Sequence, residues 1–128
     1  MKINTQISVG ELLDKFSILK IKSNKIKDPQ KINNINKELS YLNSIIESNL
    51  TNYHSLQKRM DQLVEVNSQL WEIEDLIREK ERSKEFDEEF RELARSVYFT
   101  NDKRFEIKDK INQESGSEFQ EQKSYSKY

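Results

Sequence analysis

The chain contains no cysteine, only two glycines and only one proline among its 128 residues. The absence of cysteine excludes a disulfide framework and any thiolate chemistry. So few turn residues disfavour β-sandwiches and barrels, which need frequent turns. No stretch approaches the roughly 18 consecutive apolar residues of a transmembrane helix, and the start MKINTQIS lacks the apolar run of a signal peptide. We therefore expect a protein without a membrane segment, located in the cytoplasm.

Charged residues are abundant, at 35%, and the hydrophobic fraction is only 34%. Acidic and basic residues are interspersed and the net charge is −1. A nucleic-acid-binding protein would carry a basic excess, so we expect no nucleic-acid partner. The composition is typical of long helices with narrow apolar stripes. A lone chain with so little apolar surface is expected to be marginally stable, which favours self-association as a homodimer, with coiled-coil packing of the helices.

Apolar residues recur at helical spacing in four segments, and the turn and cap residues separate them. We predict one all-α domain over residues 1–128, an antiparallel bundle of about four helices with short connections. Ser8 with Glu11 is a capping box at the start of the first helix, Asp28-Pro29 starts the second, and Gly116 marks the end of the fourth. The predicted elements are an N-terminal arm at 1–7, helices at 8–27, 29–48, 53–82 and 86–113, and a polar C-terminal tail at 114–128.

Polar residues interrupt the apolar stripes of the third and fourth helices. Asn67 and Glu74 occupy stripe positions in the third helix, and Thr100 and Arg104 do so in the fourth. An unpaired buried charge costs several kcal/mol, so buried charges must meet each other or a ligand. A pair between Glu74 and Arg104 is the simplest hypothesis.

Chain geometry argues against that simplest pair within one hairpin. The two residues lie at different distances from the turn, and their levels differ by roughly 15 Å at 1.5 Å per residue. Residues at equal distances from the turn are better partners. This criterion pairs Glu74 with Arg91 or Arg95, and it pairs Arg104 with a residue near 62–66, such as Glu65. Other pairs become possible across a dimer axis.

Two functions fit these residues. The leading hypothesis is a helical interaction or scaffold protein, leaning against an enzyme, in which buried charges set helix register or dimer specificity. The alternative is a small-anion binding protein or enzyme, with a carboxylate or phosphate held by arginine between helices. The catalytic residues stay unknown, and the candidate ligand-binding residues are Lys15, Glu74, Asp75, Arg95, Tyr98, Asn101, Asp102 and Arg104.

No other class of site is indicated by the sequence. His54 is the single histidine, which argues against a His/Cys metal site, and no calcium-binding loop is present. No glycine-rich phosphate loop and no activated serine are recognisable. We therefore expect no metal and no cofactor.

Two phrases are specific enough to compare with a known family: GELLDK at Gly10–Lys15, of the form GEL-x-DK, and LARSVYFTND at Leu93–Asp102, of the form LARSVY-x-TND. With these phrases the chain resembles a family of small bacterial and phage-type proteins of unknown function, over nearly its whole length. The resemblance implies a compact helical protein and no particular activity. If the phrases mark a shared site, it implies Asp14 as a further member beside the candidates named above.

Overall fold

The computed structural model describes all residues from Met1 to Tyr128 and contains four α-helices and no strand. The helices are α1 (Val9–Lys25), α2 (Pro29–Asn49), α3 (Tyr53–Ser83) and α4 (Glu88–Ser115). The predicted all-α class with four helices is confirmed. The predicted helix ends differ from the observed ones by no more than two residues.

Side chains and one left-handed glycine define several helix ends. Ser8 accepts a hydrogen bond from the Glu11 N–H at 3.0 Å, and Asp28 accepts one from the Lys31 N–H at 3.0 Å. Such caps satisfy backbone donors that have no partner within the helix. Gly116 ends α4 at φ 68°, a conformation that glycine adopts without steric cost.

The turn between α3 and α4 is formed without glycine. Lys84 adopts the left-handed conformation at φ 56°, and the Glu85 N–H bonds to the Lys80 carbonyl. The Lys80 ammonium then lies 3.0–3.1 Å from carboxylate oxygens of Glu85, Asp87 and Glu89. These contacts raise the pKa of Lys80, with the Glu89 contact contributing most. The turn therefore combines a strained backbone residue with an ionic cluster.

Helix α1 is the centre of the bundle, because it packs against α2, α3 and α4, whereas α3 and α4 pack along each other. The hydrophobic core consists of twelve buried residues, and all of them belong to the first 66 residues except Ile111. Leu13, Ile46, Leu56, Met60 and Leu63 are completely buried there.

The remaining length of α3 and α4 contains no buried residue. From Ser68 to Phe99, every residue is half-buried or exposed. We call residues 68–99 the distal hairpin and the remainder of the chain the body. The lack of buried residues there is partly a matter of helix length, since α1 has 17 residues and α3 has 31. At 1.5 Å per residue, α1 covers only about 26 Å of the roughly 46 Å length of α3.

The C-terminal tail folds back along α4. Ser117 is buried near the start of α1, Glu121 reaches Lys108, the Lys123 ammonium lies 5.3 Å from the Phe105 ring centre, and Tyr128 reaches Asp102. The tail thus runs antiparallel to α4 over the body. No helix has the length and the apolar character needed to cross a membrane.

Candidate functional site

A polar stripe on α1 faces α3 and α4. Gly10, Asp14, Ser17 and Ile21 are spaced by four, three and four residues, so they lie on one side of the helix, and all four are buried. The leucines and Phe16 of α1 belong to the hydrophobic core instead. The sequence analysis named Asp14 only through the family resemblance and did not identify this stripe. Its spacing was the available signal.

Asp14 is the centre of the stripe and is only 1% exposed. Its Oδ1 atom accepts hydrogen bonds from Asn67 Nδ2 at 2.9 Å and from Arg104 Nε at 3.0 Å, and Oδ2 accepts one from Arg104 Nη2. The two bonds from Arg104 form a bidentate ion pair, the strongest geometry for this pair of groups. The carboxylate raises the pKa of Arg104, mainly through these hydrogen bonds.

Asn67 and Ser17 complete the polar contacts on the α3 side. Asn67 Nδ2 also donates to Ser17 Oγ at 2.8 Å, and the Ser17 hydroxyl donates to the Asp14 carbonyl at 2.7 Å. A buried amide at a leucine-like position is therefore satisfied, as buried polar groups generally are.

Lys108 lies one turn further along α4 and is also buried. Its Nζ atom is 2.8 Å from Glu11 Oε2 and 2.8 Å from Glu121 Oε2, and 4.0 Å from Asp14 Oδ2. Burial acts to lower the pKa of Lys108, but the contacts with the acidic side chains outweigh it and the pKa is raised. Arg104 and Lys108 therefore each face carboxylates within the protein.

The start of α1 is held by α4 and the tail. The Gly10 N–H donates to Asn112 Oδ1 at 2.7 Å, and the Val9 N–H donates to Ser117 Oγ at 3.1 Å. A Cβ atom at residue 10 would lie 2.7 Å from the Lys108 carbonyl oxygen. Only glycine lets the two helices approach this closely.

The predicted ion pairs between α3 and α4 are wrong. Glu74 has a side chain that is 48% exposed, and it pairs within α3, with Arg78 at 3.3 Å. Arg91 and Arg95 pair within α4, with Glu88 and Glu92. Arg104 pairs with Asp14 and not with Glu65 or Glu74. The prediction considered a hairpin alone, whereas α1 supplies the acid from a third helix.

The candidate residues separate into two groups in space. Glu74, Asp75, Asn101 and Arg104 line one cleft of about 410 Å³ between α1, α3 and α4. The other four do not line it. Lys15 pairs with Glu38 of α2 at 3.0 Å, with both side chains exposed, and Arg95 pairs with Glu92. Asp102 accepts a hydrogen bond from Tyr128, whose ring centre is 5.3 Å from that of Tyr98.

The cleft has walls of different chemistry. On the α4 wall, Arg104 Nη1 and the side chain of Asn101 bond to no other atom of the protein. On the α3 wall, Asp75 is in no ion pair. The α1 wall is apolar, formed by Ile18 and Ile21, with Leu70 and Trp71 of α3 beside it. The cleft lies where the body meets the distal hairpin.

These features define an all-α protein built on a long helical hairpin, with ionic contacts where α1 packs against it. No group of three or more histidine or acidic side chains has an arrangement that could hold a metal ion. The chain belongs to a family of unknown function, DUF6165, whose profile matches residues 1–128. No curated protein and no solved structure matches it. The resemblance to a family of unknown function is confirmed. That the phrases GEL-x-DK and LARSVY-x-TND are characteristic of this family, and that the protein is of bacterial or phage origin, stay predictions.

Proposed function

We propose that the protein is a non-enzymatic helical interaction protein that self-associates as a homodimer through its distal hairpin. One observation carries this proposal: none of the residues 68–99 is buried in the single chain, although eleven of them are large and apolar. These residues are Leu70, Trp71, Ile73, Leu76, Ile77, Phe86, Phe90, Leu93, Val97, Tyr98 and Phe99.

The physical argument rests on how helices are stabilised. Helices in proteins owe most of their stability to tertiary packing of an apolar face and little to intrinsic propensity. Contacts with other elements occur only near the base of the distal hairpin, where Leu70 and Trp71 approach α1 and Tyr128 reaches Tyr98. Leu76 and Phe86, further out, remain 47% and 54% exposed. A partner that covers this surface would supply the missing burial.

Charge favours a second copy of the same chain as that partner. The distal hairpin contains ten acidic and six basic residues, a net charge of −4, so the body carries +3. In a two-fold dimer, any contact between the hairpin of one copy and the body of its partner occurs twice, with the two copies exchanged. We therefore propose that the hairpin of each copy packs on the body of its partner, close to the lysine-rich α1.

The test compares oligomeric state between two variants by light scattering at micromolar concentration. Wild type is expected to be a dimer that weakens as salt is added, because exposed charges are screened. Leu76→Glu is expected to be a monomer with the same helix content. Ile3→Glu is the matched control, since it changes an exposed apolar residue of the N-terminal arm, which lies outside both the distal hairpin and α1, and it is expected to remain a dimer.

A stable wild-type monomer would overturn the proposal. A dimer unaffected by Leu76→Glu would place the interface elsewhere on the molecule. A dimer that becomes tighter with added salt would contradict contact between hairpin and body, and would favour contact between two acidic hairpins.

The buried charges have a structural role in this proposal, because Asp14, Arg104 and Lys108 fix how α1 packs against α3 and α4. The alternative of a small-anion site has less support. The charge of Arg104 already faces a buried carboxylate, and Tyr98, Arg95 and Lys15 lie outside the cleft. A cytoplasmic location remains part of the proposal.

A further inference from the structure

The cleft between α1, α3 and α4 has the dimensions of a small-molecule site. Its volume is about 410 Å³, and ligand pockets typically measure about 300–1,000 Å³. Such pockets combine apolar walls with a few polar groups that converge on the ligand. This cleft has both, and its polar groups are divided by charge between two walls.

The α4 wall offers hydrogen-bond donors, including the free edge of a guanidinium whose charge also faces Asp14. Arg104 uses Nε and Nη2 on Asp14, which holds the guanidinium in place and leaves the two N–H groups of Nη1 without a protein acceptor. Asn101, three residues earlier, lines the same cleft and adds an amide. A ligand carboxylate is the natural acceptor for a fixed guanidinium edge.

The α3 wall offers the opposite charge. Asp75 is in no ion pair, and Glu74 has only Arg78, at 3.3 Å and with both side chains well exposed. Exposed pairs of this kind are weak, so Glu74 can turn towards a ligand at little cost. An ammonium group would satisfy both carboxylates.

The rest of the lining is apolar. Ile18 and Ile21 of α1 and Leu70 and Trp71 of α3 supply this apolar lining. A simple anion would leave this surface and the two carboxylates unused, and a simple cation would leave Nη1 of Arg104 unpaired. Each unmet group carries a desolvation cost on binding.

We propose that the cleft binds a small zwitterion with an apolar side chain, of the α-amino-acid class. Its carboxylate bonds to Arg104 Nη1 and Asn101, its ammonium group bonds to Asp75 and Glu74, and its side chain packs on Ile18, Ile21 and Trp71. All groups of the site come from one chain, and its α3 wall is part of the distal hairpin, so each titration is accompanied by light scattering that reports the oligomeric state separately from ligand binding.

The test is a calorimetric titration of the full-length protein with leucine and phenylalanine, each compared with its N-acetyl and its amide derivative. N-acetylation removes the ammonium charge and amidation removes the carboxylate. Saturable binding of the amino acids is expected, and about tenfold or greater weakening for each derivative, the effect of losing one charged contact. Absence of binding at millimolar concentration, or equal binding of either derivative, would overturn the proposal.

Two variants on α3 locate the ammonium site. Asp75→Asn is expected to weaken leucine binding about tenfold or more. Glu72→Gln removes the same charge from an exposed position of α3 that does not line the cleft, and it is expected to bind as wild type. Circular dichroism before each titration establishes that both variants are folded. Equal affinity of Asp75→Asn and wild type would exclude the assigned site.

Discussion

The body and the distal hairpin are built from the same two helices, yet they are stabilised in different ways. In the body, α1 packs against both α3 and α4, and leucine, methionine and isoleucine side chains are completely buried. In the distal hairpin the same helices continue without a third helix, and no residue is buried. The comparison teaches that a continuous apolar stripe becomes a core only where a third helix covers it.

The ionic groups follow the same division. Ionic pairs in the body join different helices, or a helix and the tail, and include the buried residues Asp14 and Lys108. Charges in the distal hairpin pair within one helix, at spacings of three or four residues, or gather around Lys80 at the turn. Pairs of the first kind specify tertiary structure, whereas exposed pairs within a helix contribute little to stability.

The largest expected effect is at the buried carboxylate. Asp14→Ala leaves the half-buried Arg104 without its partner and Asn67 with only Ser17 Oγ as acceptor, so it should lower the free energy of unfolding by about 3–5 kcal/mol. Urea denaturation followed by circular dichroism measures the loss. The matched change Asp75→Ala, in the distal hairpin, should stay within about 0.5 kcal/mol of wild type. Similar losses for both variants would contradict the division between body and hairpin.

A leucine pair on α3 tests the same division with apolar side chains. Leu63→Ala removes a completely buried side chain and should cost about 2–5 kcal/mol. Leu76→Ala, in the distal hairpin, should cost no more than about 0.5 kcal/mol, measured at a concentration low enough for monomers. Thermal and urea unfolding measure both. An equally large loss at Leu76 would show that the hairpin is packed in the single chain.

The close approach of α1 and α4 should be sensitive to one added methyl group. Gly10→Ala places a Cβ atom 2.7 Å from the Lys108 carbonyl and 2.9 Å from Asn112 Oδ1, and should destabilise the body by about 1–3 kcal/mol. An unchanged or raised melting temperature would contradict this contact. The control is Lys15→Ala at an exposed position of α1, for which little change is expected.

The hairpin turn should gain stability from a glycine. Lys84 adopts a left-handed conformation, which costs an L-residue roughly 1–2 kcal/mol relative to glycine. The side chain of Lys84 pairs only with Glu81, at 3.3 Å, so Lys84→Gly should raise the free energy of unfolding by about 1 kcal/mol. Ser83→Gly is the control inside α3, where glycine should be destabilising. A loss of stability in Lys84→Gly would be inconsistent with the turn.

The smallest expected effect concerns the tail. The hydrogen bond from the Tyr128 hydroxyl to Asp102 raises the pKa of Tyr128 to about 12 from its ordinary value of 10.0. A raised pKa favours the protonated form in the folded protein, so this contact is fully present below about pH 10 and is lost as the pH rises through about 12. Tyrosinate absorbance should show a late titration step that Tyr128→Phe removes. Absence of a step near pH 12 that depends on Tyr128 would argue against the contact.

Much of the fold is predictable from the sequence alone. Helical spacing of apolar residues, the caps at Ser8 and Asp28, and Gly116 indicated four helices and their ends, because these signals are local. The turn at Lys84 was weakly marked, since a lysine there gives no sign of a left-handed conformation. Helix period and capping therefore depend on residues within a few positions of each other.

The ionic contacts were decided by tertiary structure. The sequence indicated that Arg104 and Asn67 interrupt apolar stripes, and both do have partners inside the bundle. The identity of the partner, Asp14, could not be predicted from α3 and α4, since Asp14 lies ninety residues from Arg104 in sequence, on a third helix that packs against both. Charges interact through space, and spacing along one helix determines only which side of that helix they share. Which residue faces them is a property of the assembled bundle.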